Sequence, residues 1–138
     1  ALPDVILRRA RHVVREIARV AAVMPLAADG DAAALGGAML ASHASGRDLY
    51  QVSCAELDAM VEIASAIDGC HGARLTGAGF GGCTVNLVAR GRAADFRLEL
   101  ARAYERRIGL RPEVWICEAA DGVEVIDPDQ RRRSTATS

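Results

Sequence analysis

The chain has 138 residues, a formal net charge of -1 and 51% hydrophobic residues, which suits a single domain with a buried core. The near-neutral charge gives no field that would attract nucleic acid or an anionic membrane. All 17 basic residues are arginine. This excludes a lysine Schiff base, a lysine general base and a P-loop lysine from these residues.

The cysteines and the apolar segments indicate the cellular compartment in which the protein is expected. The four cysteines follow no zinc-ligand spacing, so we expect reduced thiols and no metal site. No run of about 18 uncharged apolar residues occurs, and the charged N-terminal stretch differs from a secretory signal. We therefore expect a soluble, cytoplasmic protein without a membrane partner. Since the chain opens with Ala1 rather than methionine, it is expected to be processed or to be a piece of something longer.

The first two helices are predicted from apolar spacing and capping residues. The first runs from Val5 to Met24, is ended by Pro25, and carries a stripe that we expect to be buried. The members of that stripe are Ile6, Ala10, Val13, Ile17, Val20 and Met24. The second helix begins near Asp29 or Asp31, either of which can cap it, and stops at Gly46.

Two further helices follow. A capping box of Ser53 and Glu56 predicts the start of the third, which closes at Asp68 and Gly69. Its inward residues are predicted to be Leu57, Met60, Val61, Ala64 and Ile67. The fourth helix covers 92–108, ends at Gly109 and has the apolar stripe Phe96, Leu100, Ala103 and Tyr104.

Period-two alternation predicts strands over Cys70 to Thr76, Cys83 to Val88, Glu113 to Cys117 and Val123 to Ile126. With the helices, this order predicts an α+β fold in which helices cover an antiparallel four-stranded sheet. We expect one domain over residues 1–126. The polar residues 127–138 are predicted to be a disordered tail.

The loop between the first two strands is rich in glycine. Gly77, Gly79 and Gly82 match the GxGxxG dinucleotide fingerprint, but that motif joins a strand to a helix, whereas alternation here continues as a strand. A protein-kinase glycine loop would need a downstream lysine, which is absent. Glycines allow backbone N–H groups to approach a phosphate or a sugar, yet they also permit tight packing of helix and sheet. Composition leaves these two readings open.

Four stretches in order resemble the galactokinase branch of the GHMP small-molecule kinases. They are Arg8 to Val14, Ser42 to Tyr50, Val52 to Asp58 and Thr76 to Cys83. The similarity runs from about Arg8 to Asp121. The sequence departs from the usual pattern at Ala78 (commonly glycine), Gly46 (leucine), Leu49 (aspartate) and Ala55 (proline).

The resemblance implies a ferredoxin-like sandwich, the GHMP kinase C-terminal domain. It implies phosphoryl transfer from ATP, with Mg²⁺, to the anomeric hydroxyl of galactose in a cleft between two lobes. The loop would line the phosphate and sugar site, through Thr76, Gly77, Ala78, Gly79, Phe80, Gly81 and Gly82. Catalytic residues and most of the ATP and Mg²⁺ contacts would come from a missing N-terminal lobe, so we expect no kinase activity from this chain alone.

Other polar residues were considered as site residues, and most are given structural roles instead. His12, His43 and His71 are assigned surface or packing roles, while Asp48 and Tyr50 are open between helix-end structure and sugar contact. The alternative functions are a galactokinase-like sugar sensor, or a kinase for N-acetylgalactosamine, homoserine or mevalonate. A free-standing ligand-binding or oligomerisation domain also stays open.

Overall fold

The computed structural model describes residues 3–122. Along the chain they form α1 (Asp4–Asp29), α2 (Ala32–Ser45), α3 (Ala55–Ala66), β1 (Cys70–Leu75), β2 (Thr84–Val88) and α4 (Ala93–Ile108). A π-helical turn (Gly46–Tyr50) continues α2, and a 3-10 turn (Arg90–Arg92) precedes α4. The predicted α+β class is confirmed.

The sheet among these residues has two antiparallel strands, β1 and β2, with Leu75 opposite Thr84 at the loop end. The predicted strand at Glu113–Cys117 is not formed among the described residues, where that segment pairs with no neighbouring strand. Its Trp115 is 70% exposed. Alternation of side chains makes a strand only where a neighbouring strand supplies hydrogen-bond partners. The predicted strand Val123 to Ile126 and the tail 127–138 lie outside the described residues.

The hydrophobic core lies between the hairpin and the helices α3 and α4. Its buried cluster consists of Val61, Ala64, Ala73, Phe96 and Leu100. The predicted inward residues Leu57, Val61 and Ala64 of α3 are buried, as are Phe96, Leu100 and Tyr104 of α4. Met60, Ile67 and Ala103 are half-buried, and Ala59 is buried although it was not predicted to be.

Helix α2 touches the sheet through its backbone. A Cβ placed on Gly36 would lie 1.9 Å from the carbonyl oxygen of His71, and one on Gly72 would lie 2.3 Å from the carbonyl oxygen of Gly36. Only glycine at both positions permits this approach. The contact fixes α2 against β1, and the C-terminal half of α2 thereby reaches the end of β1 that enters the glycine loop.

Two predicted helix ends need correction. Helix α1 continues through Pro25 to Asp29 and ends at Gly30, whose φ is 71°. Proline removes one N–H donor and disfavours the helix without forbidding it. Asp31 does cap α2, accepting from the Ala34 N–H at 2.9 Å, but Gly46 is helical and the chain turns only at Gln51, whose φ is 64°.

The predicted capping box at the start of α3 is wrong. The N-cap residue is Cys54, and its side chain makes no capping bond. The hydroxyl of Ser53 instead donates to Oδ1 of Asp58 at 2.5 Å. Ser53 lies one residue before the N-cap, so its hydroxyl reaches forward to a side chain in the first turn of the helix.

The orientation of α1 is opposite to the prediction. None of its residues is buried. The side facing α2 is mostly polar and half-buried, with Arg8, His12, Glu16 and Arg19 followed by two apolar residues. The apolar stripe that we expected inside is exposed, Ile17 to 67% and Met24 to 69%. The facing surface of α2 presents serine hydroxyls, which select the polar side of α1 as their partner.

Candidate functional site

The glycine loop, Thr76 to Gly82, connects β1 to β2 and so joins strand to strand, as predicted. The Thr76 N–H donates to the Cys83 carbonyl at 2.9 Å and closes the base of the loop. Gly77, Gly79 and Gly81 have positive φ angles of 75°, 81° and 115°. Glycine is the residue that adopts these angles without a steric penalty, so the composition of the loop is matched to its backbone path.

One side of the loop rests on the segment that follows the π-helical turn. The Phe80 N–H donates to the Val52 carbonyl oxygen at 2.9 Å. A Cβ placed on Gly79 would lie 2.1 Å from the same oxygen. Phe80 has a φ of 58° and its ring is exposed. The loop therefore holds its shape through backbone hydrogen bonds and one close backbone contact rather than through packed side chains.

The other side of the loop presents free donors. Within residues 3–122, the N–H groups of Gly77, Ala78, Gly79 and Gly81 donate to no protein acceptor. Three of these four residues are exposed, and Gly79 is half-buried. Clustered backbone N–H groups without bulky side chains form a cradle for an anion. The geometry thus suits phosphate oxygens or sugar hydroxyls.

Buried His43 supports the point where β1 enters the loop. Its Nδ1 accepts a hydrogen bond from the Leu75 N–H at 3.2 Å. The ring proton is therefore on Nε2, which lies 3.1 Å from Oδ1 of Asp58. At this distance the Asp58 carboxylate lies close enough for its charge to act on the imidazole. Burial lowers the pKa of His43 although Asp58 opposes the shift, which keeps the imidazole neutral and able to accept.

A cavity of about 250 Å³ lies beside the loop. It is lined by His12, Glu16, Ser42, His43, Gly46, Tyr50, Val52, Arg74, Leu75, Gly77 and Ala78. Sequence reasoning missed this cavity, because its residues are distant along the chain. The sequence did contain a signal for this contact between helices. His12 and Glu16 are four residues apart on α1, and Ser42 and Ser45 are three apart on α2.

Polar contacts between α1 and α2 build one wall of the cavity. Nδ1 of His12 is 2.8 Å from Oγ of Ser45, and Oγ of Ser42 donates to Glu16 at 2.7 Å. The ring of His12 stacks on Tyr50 with a centroid separation of 4.7 Å. His12, His43 and Tyr50 all lie in the wall of the cavity.

No side chains in the described part suggest a metal centre. Within residues 3–122, no group of three or more His, Cys, Asp or Glu residues is placed to hold a cation. Asp48 pairs with the neighbouring Arg47 at 2.7 Å and is exposed.

Comparison with known proteins gives the family. The profile described as "GHMP kinases C terminal" matches residues 23–106. The chain belongs to the GHMP kinase C-terminal family. This GHMP kinase domain is 48% identical to a galactokinase of Roseiflexus sp. (strain RS-1) over 122 residues, 88% of the chain and 31% of that protein. It is 44% identical to galactokinase of Homo sapiens, over 86% of the chain and 29% of that protein.

The fold comparison agrees with the sequence comparison. The structure of Lactococcus lactis galactokinase complexed with galactose superposes on 79% of this GHMP kinase domain with a TM-score of 0.75 and 38% identity, using 28% of that chain. The predicted resemblance to the galactokinase branch is confirmed. The chain spans 31% of the length of the Roseiflexus protein and 29% of the length of the human protein, so it corresponds to about a third of each relative. Among the helices of residues 3–122, none is both long and apolar enough to cross a bilayer.

Proposed function

We propose that this chain is the C-terminal lobe of an ATP-dependent galactokinase, which forms ADP and galactose 1-phosphate from ATP and galactose. The observation that carries the proposal is the strand-to-strand loop, four of whose N–H donors have no acceptor within residues 3–122. Galactokinases align with 86% to 91% of the chain, which supports this substrate pair over those of other GHMP kinases.

The loop would act by positioning and by hydrogen bonding. In phosphoryl transfer the transition state carries negative charge on the equatorial phosphoryl oxygens, and preorganised donors stabilise that charge. Among the residues that the structure describes, the N–H groups of Gly77, Ala78, Gly79 and Gly81 donate to no acceptor and so fit this role. Thr76, Phe80 and Gly82 complete the loop, and the bond from Phe80 to Val52 keeps it in place.

The remaining parts of the active site would come from the portion of the relatives that this chain does not span. Mg²⁺ bound to ATP neutralises phosphate charge, and the described residues, which hold no acidic cluster, would meet it only through the nucleotide. This lobe would supply backbone donors while side chains elsewhere hold the sugar and the reacting hydroxyl. The cytoplasm is the proposed location of the enzyme.

We also propose that the intact protein has the four-stranded ferredoxin-like sheet over residues 1–126, followed by a tail at 127–138. A groove of about 920 Å³ lies between β2, α4 and residues 110–119. Exposed Leu110, Trp115 and Ile116 lie beside it. Pairing of additional strands on the sheet would remove this apolar surface from water, which is favourable in proportion to the area buried.

The test is a kinase assay on the full-length gene product with MgATP and galactose. We expect ADP to form only when galactose is present and galactose 1-phosphate to accumulate in equal amount. The 138-residue chain alone should show no turnover. Sugar and ATP binding without turnover by the full-length protein would identify a sensor, and preferential phosphorylation of N-acetylgalactosamine, homoserine or mevalonate would assign another GHMP activity. Robust turnover by the short chain would contradict the division of labour proposed here.

The loop has its own test in the same assay. Gly79→Ala should lower kcat/KM of the full-length enzyme by at least about tenfold, since displacement of an oxyanion donor typically costs that much or more. Gly37→Ala, at a helical position with open space around it, is the matched control and should leave kcat/KM unchanged. Equal activity of both variants would remove the loop from the site.

A further inference from the structure

The apolar stripe of α1 is placed where an ordinary surface helix has its polar side. We define this α1 stripe as Ile6, Val13, Ile17, Val20 and Met24, all of which are 47% to 69% exposed. A surface helix of a globular protein normally turns such a stripe toward the core. Here the core-facing side is polar, so the stripe has no partner among residues 3–122.

The geometry shows that the stripe cannot be covered by a small adjustment of α1. An α-helix advances by about 100° per residue, which places the centre of the stripe roughly 120° around the axis from the residues that face α2. Rotating the helix inward would break the hydrogen bond that Ser42 donates to Glu16 and the one between His12 and Ser45. The polar contact fixes which side faces outward.

The size and composition of the stripe match a protein interface. From Ile6 to Met24 it extends for roughly 27 Å along the helix axis. Exposed Ala10 and Ala21 lie along one edge, and small residues allow another helix or a sheet to approach closely. Continuous apolar patches of this kind on soluble proteins mark sites of interaction.

We propose that the α1 stripe is the surface on which the preceding part of the kinase polypeptide packs. This inference rests on the proposed function, because it takes the chain as one lobe of a longer enzyme. The relatives are about three times as long as the matched region, which belongs to the C-terminal family. In such an enzyme the upstream polypeptide joins this lobe at the N-terminal end of α1, next to Ile6 of the stripe.

The experiment uses two double variants of the full-length gene product. Ile17→Asp with Val20→Asp places two charges in the stripe. Ala18→Asp with Ala22→Asp places two charges on the same helix at exposed positions outside both the stripe and the contact with α2. We expect the stripe variant to lower the midpoint of thermal unfolding by about 5 °C or more and the control by less than about 2 °C.

The same variants in the 138-residue chain supply the second measurement. Because the substituted residues are exposed there, both variants should unfold within about 2 °C of the parent chain. A penalty that appears only in the longer protein supports the inference. Equal midpoints for stripe and control variants of the full-length protein would overturn it.

Sedimentation separates the proposed occupant from a second copy of the chain. The 138-residue chain should sediment as a monomer at micromolar concentration. A dimer that the stripe variant dissociates and the control variant does not would assign the stripe to self-association and overturn the inference. Kinase activity of the unsubstituted full-length protein judges the proposed function separately, since the midpoints can be compared whether or not that protein turns over.

Discussion

Substitution of Gly79 by alanine gives the sharpest test of how the glycine loop is held. The φ angle at Gly79 is 81°, and a Cβ there would lie 2.1 Å from the Val52 carbonyl oxygen. Gly77 is the matched control, because its φ is 75° and a Cβ there would have no neighbour within 4 Å. Both variants carry the cost of a left-handed residue, but only Gly79→Ala meets a backbone atom.

The two variants therefore differ by the contact with Val52. The left-handed conformation costs a residue with a Cβ about 1–2 kcal/mol, so we expect the free energy of unfolding to fall by about 1 kcal/mol in Gly77→Ala. In Gly79→Ala the loop must move, losing the Phe80 hydrogen bond, about 0.5–1.5 kcal/mol, and incurring overpacking of about 1–3 kcal/mol. A fall of about 3 kcal/mol is the expected total for that variant.

Urea unfolding followed by far-ultraviolet circular dichroism measures both values. The dependence of the unfolding free energy on urea should be the same in the two variants, because the surface exposed on unfolding is unchanged. If Gly79→Ala and Gly77→Ala are destabilised equally, the close approach of the loop to Val52 does not exist in solution, and the explanation of the loop's shape is wrong.

Three further predictions concern the scaffold of the site. Gly36→Ala should destabilise the chain by about 2 kcal/mol in urea unfolding, because its Cβ meets β1, whereas Gly37→Ala should stabilise it by about 0.5–1 kcal/mol; a shared sign would contradict the contact of α2 with β1. Leu100→Ala, at a site 1% exposed, should cost about 2–5 kcal/mol in the same assay, and Leu98→Ala, 48% exposed, less than about 1 kcal/mol; equal losses would contradict the assignment of the core. The lowered pKa of His43 means that the folded state binds fewer protons than the unfolded state near its ordinary value of 6.5. Its contribution to stability is thus complete above that pH and lost as the pH falls below it. In the parent chain the midpoint of thermal unfolding should therefore fall as the pH is lowered below 6.5, and His43→Gln should make this fall smaller. The same pH dependence in both proteins would show that His43 is not buried as described.

Local sequence determined the type of most elements. Spacing of apolar residues located all four helices, and alternation located β1 and β2, because each pattern follows from the repeat of its own backbone. The glycine loop was identified as a strand-to-strand connection from residues on either side of it. The motif resemblance then pointed to the GHMP kinases, and the family comparison confirmed this.

Tertiary structure decided what depends on distant partners. The capping box predicted at α3 does not form, because the Ser53 hydroxyl bonds to Asp58 instead. The role of His43 beneath the loop requires Leu75, 32 positions away, which no local spacing reveals. Residues 113–117 alternate like a strand, yet alternation does not supply a neighbouring strand.

The orientation of α1 shows the division most clearly. By itself, the sequence determined that this helix has an apolar stripe and a polar side. Which side faces the rest of the chain was decided by the serines of α2, whose hydroxyls bond to Glu16 and His12. Periodicity reports how residues are arranged around one helix axis, whereas the choice of face is a contact between two helices, and only the folded chain contains it.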